Sequence, residues 1–487
     1  MPRLSTRKSL ILLLWLGDVC LYMARTNVSV AIGAMFSSDA AEGRMLAAFY
    51  CGYFAFQTPA GWLASHFGGS RVLTAAVAVW SLASAASCFT RGAFAALFAL
   101  RVLVGCAEAC CYPSMAQLVS VWIPTSERSS SWAFITTGEP AGTVLMLLLG
   151  PFLLASTGWR SVFLVSAACG LAWMVAFASF ATSDPARHRC ISAEELALIH
   201  ASRPPEVARG VTPWRAILTN RPFLCTATCH CLYNWTFYIG LSWIDKFLHT
   251  TWPNASSADL AAASAAPYVA LFACSAASGV VADRLEARGL APTRTRKLIN
   301  SAGLLGGAAG FGALSCVAPC GGGSSAPRGS IVAATACLSV AIGMAGFGSS
   351  AGYWATFGDL SRRHGALLLA MSNTAASLPG IVGNTATGQL LASTRGDWAL
   401  VFRLCAGSLV LGALAFLGSE ARDQLLDDSP RGMLSSKLLV APGEPGGSEE
   451  EGSGASTAAG PTVQAARGAE ASSQPIAQPT QPLALPP

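Results

Sequence analysis

Charge is scarce in this sequence. Only 11% of the 487 residues are Asp, Glu, Lys or Arg, against roughly 25% in soluble globular chains. A chain so poor in charge cannot cover its surface with solvated groups, which excludes a soluble enzyme, a disordered scaffold and a secreted disulfide module. There are only 6 His, and no Cys-x-x-Cys pair stands beside a His pair, so no zinc site is expected. The net charge of +6 is small for the length and gives no basic surface for nucleic acid. No motif places a nucleophile beside a base, and the glycines of 303–312 and 321–323 read as helix packing and loop rather than a phosphate cradle. The chain is therefore not expected to be an enzyme. Few residues precede the first apolar run, which leaves no room for a cleavable transit peptide and argues against a plastid.

Apolar residues, by contrast, make up 53% of the chain. Most of the 16 Cys lie within apolar runs, among them Cys51, Cys106, Cys110, Cys111 and Cys169. There they act as small hydrophobes rather than a disulfide framework. Twelve apolar segments cover 9–36, 45–65, 71–90, 94–122, 130–156, 161–182, 222–249, 262–282, 298–318, 330–357, 365–393 and 398–419. Each has about the length that crosses a hydrocarbon core of ~30 Å. The break at 183–221 differs in kind, with Asp184, Arg187, Arg189, Glu194, Glu195, Arg203, Glu206, Arg209, Arg215 and Arg221. The expected plan is an all-α membrane protein with one six-helix half at 1–182, a cytoplasmic linker at 183–221 and a second half at 222–419. Residues 420–487 are rich in Gly, Ser, Ala and Pro and read as a disordered cytoplasmic tail. A faint repeat supports duplication, the plan of many secondary transporters. Gly61-Trp62-Leu63-Ala64-Ser65-His66 follows span 2, and Gly279-Val280-Val281-Ala282-Asp283-Arg284 follows span 8.

Positive charge sets orientation. Arg3, Arg7 and Lys8, the Arg-rich linker, the loop with Arg284, Arg288, Arg294, Arg296 and Lys297, and the pair Arg362 and Arg363 all fall on one side of a twelve-span chain. The other side has only scattered positives such as Arg44, Arg91 and Arg328. Both termini are thus expected in the cytoplasm. Asn254-Ala255-Ser256 then faces outside as a glycan acceptor, whereas the matching triplets at Asn27 and Asn234 lie inside spans.

An ionised side chain at the bilayer centre costs at least ~2.5–3.5 kcal/mol, so each one kept there needs a reason. Arg101 and Glu108 are seven residues apart in span 4, almost two turns, and share one face. They either line a translocation path or pair helices. Asp18 and Arg25 in span 1 repeat the spacing. Asp18 reads equally as a solvated or capped carboxylate near a helix end. Arg25, with no acid adjacent in sequence, is a ready site for carboxylate or phosphate oxygens. Glu139 lies in the Gly- and Pro-broken stretch Thr137-Gly138-Glu139-Pro140-Ala141-Gly142 and is a ligand or proton candidate beside a packing or hinge reading. His230 in span 7 is either functional or a hydrogen-bonded packing residue. Asn373 and Asn384 in span 11 either donate to an anion or bridge helices. Tyr53 and Gln57 are four residues apart and reach a cavity or a neighbouring helix together. Tyr233, Trp235, Phe237, Tyr238 and Trp243 give span 7 an aromatic face.

Several motifs in order resemble the major facilitator superfamily and, within it, the anion:cation symporter family of sodium-phosphate transporters, sialin, vesicular glutamate and nucleotide transporters and plant anion transporters. Arg25-Thr26-Asn27-Val28-Ser29-Val30-Ala31-Ile32, Gly52-Tyr53 with Gln57-Thr58-Pro59-Ala60-Gly61, and Arg101 to Glu108 with Pro113-Ser114-Met115 carry the resemblance in the first half. Glu127-Arg128-Ser129 and Gly158-Trp159-Arg160-Ser161-Val162-Phe163 do so as well, and in the second half Asn234-Trp235-Thr236-Phe237-Tyr238 and Ser372-Asn373-Thr374 with Pro379-Gly380 carry it. The resemblance implies a major facilitator fold of twelve transmembrane helices. It implies that Arg25 binds the anion, that Tyr53, Gln57, Arg101 and Asn373 contact it, and that Glu108 couples transport to Na+ or H+. Asn27, Glu139, His230 and Tyr238 are further candidates. Ala24, Val104, Ala116, Tyr233 and Ser65 depart from positions where relatives carry Asp, Glu, His, Arg and Asp, and Asp245-Lys246 replaces a Pro-Thr. These changes lead away from sialin-like proton coupling and from glutamate.

The expected function is secondary active transport of inorganic phosphate or an organic carboxylate by alternating access. No cofactor is expected beyond the coupling ion. The expected partners are a small anion and the lipid bilayer, with no nucleic acid, and the chain is expected to be a monomer. The rival from another class is a non-transporting receptor, and among transporters a proton-coupled exporter of acidic sugars. The expected membrane is the plasma membrane or an endolysosomal or vacuolar one. Leu425-Leu426 and Leu438-Leu439 lack the upstream acid spacing of sorting signals.

Overall fold

The computed structural model describes residues 5–90, 92–201, 212–320, 329–361 and 364–421. The tail from 422 onward with its two dileucines, the loop cations Arg3, Arg91, Arg328, Arg362 and Arg363, the linker residues Arg203, Glu206 and Arg209, and the glycines of 321–323 lie outside the described residues.

Every element among the described residues is a helix. Ten are long and apolar enough to cross a membrane. In chain order the long helices are α1 Thr6–Met35, α2 Asp39–Phe67, α3 Gly69–Ser87, α4 Phe94–Trp122, α5 Ser130–Thr157 and α6 Trp159–Phe180. After the linker come α7 Arg221–Thr251, α8 Ser257–Ala287, α9 Pro292–Val317, α10 Ile331–Leu360, α11 Gly365–Thr394 and α12 Trp398–Phe416. The two outside the ten are α2 and α7, with 29 and 31 residues. Both are diluted by polar side chains, Asp39, Glu42 and Arg44 in one and His230, Asn234, Asp245 and Lys246 in the other. Each of the twelve expected segments lies on one of these helices. α2 and α8 begin earlier than their apolar runs, because Asp39 and Glu42 and then Ser256 and Asp259 start the helix before the apolar residues do.

The ends follow capping chemistry. Asn220 accepts from the Phe223 amide at 2.8 Å, Ser256 from Asp259 at 3.1 Å and Ser330 from Ala333 at 3.2 Å, each satisfying an orphan donor of the first turn. Gly68 and Gly158 turn the chain between α2 and α3 and between α5 and α6 at φ of 85° and 83°, where other residues are strained. Three helices break inside. The ladder is interrupted at Cys110 in α4, Thr137 in α5 and Ser377 in α11. Pro113, Pro140 and Pro379 follow within three residues, and each lacks the N–H that would bond four residues back. α10 carries a wider turn over Ser349–Trp354, with Gly352 out of helical geometry.

The end of the bundle that bears Thr6 is called the terminal end here, and the opposite one the far end. α1 is buried almost without interruption from Gly17 to Ile32 and packs on α5 and α6. Helices of the first six meet those of the last six mainly through α2 against α11 and α5 against α8. On α2 the buried residues run from Glu42 to Tyr53, and most of the remainder is exposed or half-exposed. Toward the far end its buried part meets the second half, while Phe49, Gly52 and Tyr53 face α1 and α4. A side chain on Gly43 would overlap the Asn384 carbonyl and Gly388, and one on Gly388 the Asp39 carbonyl. Lys246 of α7 bonds both Asp39 and Glu42. The bundle is therefore closed at the far end and parted toward the terminal end. Asn254 is exposed at the far end, in the turn between α7 and α8, while Asn27 and Asn234 are buried.

The linker clasps the start of α1. Its helix Ala193–Ala201 presents Glu195, whose carboxylate accepts from the Thr6 and Arg7 amides at 3.1 and 2.9 Å. The Arg7 guanidinium reaches Glu127 at 3.1 Å.

Candidate anion-binding centre

Two glycines bring the site together. A side chain on Gly52 would overlap the Val102 carbonyl, and one on Gly105 the Phe49 carbonyl. The backbones of α2 and α4 therefore touch at this level, and the charged residues of α4 lie against the aromatic face of α2 and against α1.

Arg25, Arg101 and Glu108 are 7%, 3% and 0% exposed. Arg25 donates from Nε and Nη2 to the same oxygen, Oε2 of Glu108, at 3.1 and 3.0 Å. Its Nη1 donates to the Tyr22 hydroxyl at 3.2 Å. The other Glu108 oxygen, Oε1, has no hydrogen-bond partner. Three rings surround the guanidinium, with Tyr22, Phe49 and Tyr53 centred 4.7, 4.9 and 5.2 Å from Cζ, within cation–π range. Arg101 also lies over Phe49 at 5.7 Å and donates to Asn27 Oδ1 at 3.5 Å, while its Nε is unpartnered. Asn27 in turn donates to Ser166 of α6 at 2.8 Å. The seven-residue spacing of α4 thus sends Glu108 to Arg25 and Arg101 to Asn27. A small cavity lies between Arg25, Arg101, Ser29 and Tyr50 of the first half and Leu241 and Ser242 of α7.

The sequence-expected residues divide in two. Tyr53 and Gln57 face α11: Asn373 lies beside the Tyr53 hydroxyl, and Thr374 donates to Gln57 Oε1 at 2.8 Å. Tyr238 packs against Tyr50 with ring centroids 4.4 Å apart and accepts from Asn234 at 3.1 Å. These join Arg25, Arg101 and Glu108 at the interface of the halves. Glu139 stands half-buried at the break of α5, facing Tyr22 and Asp18. His230 belongs to another cluster. It bonds Ser372 at 2.9 Å and packs on Tyr353 and Trp354 at 5.0 and 5.4 Å. Asn384 bridges helices, accepting from Trp243 at 2.9 Å.

Two features differ from the sequence reading. Arg25 has no acid beside it in sequence, yet Glu108 of α4 sits against it in space. Asp18 is neither solvated nor capped, but fully buried in mid-helix. The bridge of Lys246 to Asp39 and Glu42 is absent from the sequence expectations. The acids three residues apart at the start of α2 and the lone Lys near the end of α7 are its available signal.

A sequence profile described as the Major Facilitator Superfamily matches residues 14–384. A chloroplastic ascorbate transporter of Arabidopsis thaliana is 31% identical over 411 residues, 83% of this chain and 73% of that protein. A chloroplastic sodium-dependent phosphate transport protein of the same plant is 29% identical over 411 residues, 83% of this chain and 77% of that one. Among solved structures, a D-xylose–proton symporter superposes with a TM-score of 0.67 at 14% identity, covering 87% of this chain and all of that one. A bacterial homologue of the lysosomal transporter Spinster gives 0.62 at 17% identity, covering 85% and 95%.

Proposed function

Since the chain belongs to the Major Facilitator Superfamily, and within it to the anion transporters, we propose that it carries a small oxyanion across the membrane by alternating access, with Arg25 as the anion-binding group. The cargo class is inorganic phosphate or an organic carboxylate, including an enediol acid such as ascorbate. The halves 1–182 and 222–419 rock about the Arg25 centre, and 183–221 tethers them. With both termini in the cytoplasm, the closed far end faces away from the cytoplasm and the parted end faces into it.

The observation that carries this reading is the Arg25–Glu108 pair, buried between the halves with side chains 6% and 0% exposed. Without anion, Glu108 occupies the fork that a carboxylate or phosphate would take. An arriving anion displaces Glu108, which then takes up the coupling cation or a proton. Binding of cargo and of coupling ion are in this way one exchange. Arg101, held by Asn27, adds positive charge on the far side of Phe49. Tyr53, Gln57, Tyr238 and Asn373 supply neutral contacts from both halves, so cargo is felt by both.

The test is uptake of labelled phosphate, ascorbate, sialic acid, glutamate and glucuronate into proteoliposomes, with Na+ and proton gradients imposed separately. Arg25→Ala should abolish uptake of whichever anion is carried. If the folded variant carries every one of them as well as the unmodified protein does, the reading is wrong.

A further inference from the structure

Asp18 is 0% exposed, and neither of its carboxylate oxygens has a hydrogen-bond partner. It lies in α1, two turns on the terminal side of Arg25. No cation is left to neutralise it, because the Arg25 fork is held by Glu108 and Tyr22. Apart from Arg25, the groups around it are polar or acidic. Tyr112 and Cys111 face it from α4, Glu139 from α5, and Tyr22 and Arg25 from its own helix. From α6, Trp173 packs on Gly17 and spends its indole N–H on the Leu13 carbonyl at 2.7 Å. Gly138 clears the space between the helices: a side chain there would come within 2.7 Å of Asp18 Cβ and 2.8 Å of the Trp15 carbonyl. Glu139 and Tyr112 are half-exposed where Asp18 is not.

A carboxylate buried inside a span, its one nearby guanidinium engaged by Glu108 and a second acid beside it, is an expensive arrangement. A carboxylic acid there is not. We infer that Asp18 is a proton-carrying site of this transporter, exchanging its proton with the terminal-end cleft through Glu139. In the closed-far-end conformation Asp18 holds the proton. On release, the Asp18 O–H bond breaks, the proton passes to the Glu139 carboxylate and from there to water, and Asp18 is left as a carboxylate. That carboxylate is tolerated only once the surrounding helices shift to admit water or a cation. Proton release and rearrangement are thereby tied together.

This inference rests on the transport reading for its purpose but not for its first test. Infrared spectra of the purified full chain, with 13C-carboxyl aspartate incorporated, read a protonated aspartate directly, whether or not any anion is carried. A protonated-carboxyl band that shifts with the label, vanishes in Asp18→Asn and survives in Glu108→Gln is the expected result. The band's absence from the unmodified protein overturns the inference, even if Asp18→Asn fails to fold. In proteoliposomes, Asp18→Asn should lose accumulation driven by a proton gradient, and Asp18→Glu should restore it. Accumulation that follows the Na+ gradient and ignores the proton gradient overturns it as well. Loss of all uptake in Arg25→Ala, with the aspartate band intact, separates failure of the anion site from failure of the proton site.

Discussion

Replacing Glu108 by Gln keeps the shape of the centre and removes its negative charge. In the anion-free protein this strips Arg25 of two hydrogen bonds to a charged oxygen, at 3.1 and 3.0 Å, between side chains 6% and 0% exposed. Breaking one partner of such a buried pair costs about 3–5 kcal/mol. An anion bound to Arg25 replaces the lost charge, so the bound state is spared most of that cost. The difference appears as tighter binding, because the anion no longer competes with Glu108. At 1.4 kcal/mol per tenfold, the upper bound on the gain is roughly two to three and a half powers of ten in Kd. The assay is thermal unfolding followed by tryptophan fluorescence, with and without increasing anion. Glu108→Gln should unfold at lower temperature without anion, show a larger anion-induced rise in Tm, and lose gradient-driven accumulation. Unchanged anion-free stability together with weaker anion binding would refute the idea that Glu108 occupies the anion's place.

Other outcomes follow from the same geometry. Lys246→Met leaves Asp39 and Glu42 without their cation and should weaken far-end closure by about 1.5–3 kcal/mol, the range for hydrogen bonds to charged groups. Labelling of a Cys introduced at Ser242 by a reagent added at the far end should then speed up, and an unchanged rate would argue against closure by this bridge. Gly105→Ala puts a methyl group into the Phe49 carbonyl and should destabilise the fold by about 1–3 kcal/mol, as overpacking does. Uptake should fall with it, since α4 can no longer hold Glu108 at Arg25. His230→Gln keeps a partner for Ser372 and should leave anion binding unaltered; a marked loss of affinity would bring His230 into the site.

The sequence made the helices legible because twenty-residue apolar runs have few other fates in a chain so poor in charge. Arg25, Arg101 and Glu108 stood out for the same reason, as ionised groups in apolar surroundings. What they touch was not legible. Glu108 reaches Arg25 only because Gly52 and Gly105 let two backbones meet, and a glycine in a helix does not announce its neighbour. Asp18 was ambiguous because a carboxylate near the start of an apolar run reads equally as solvated; the fold decides by covering it with α4, α5 and α6. The pairing of Asp39 and Glu42 with Lys246 was not legible, since nothing local shows that residues some two hundred positions apart meet at the far end. Pro140 did mark where α5 breaks, because the missing N–H acts within one turn; Pro113 and Pro379 act alike in α4 and α11, but were legible only as parts of motifs.

The three rings around Arg25 also bear on which ions the centre ignores. Tyr22, Phe49 and Tyr53 crowd the guanidinium and restrict approach to its edge, where the N–H bonds point. A polyatomic oxyanion offers two oxygens to that edge at once and gains a paired, directional contact. A halide is a single sphere and gains no such pairing. On the proposed reading the centre discriminates against such a sphere, and chloride in large excess should compete poorly with the carried oxyanion in the uptake assay.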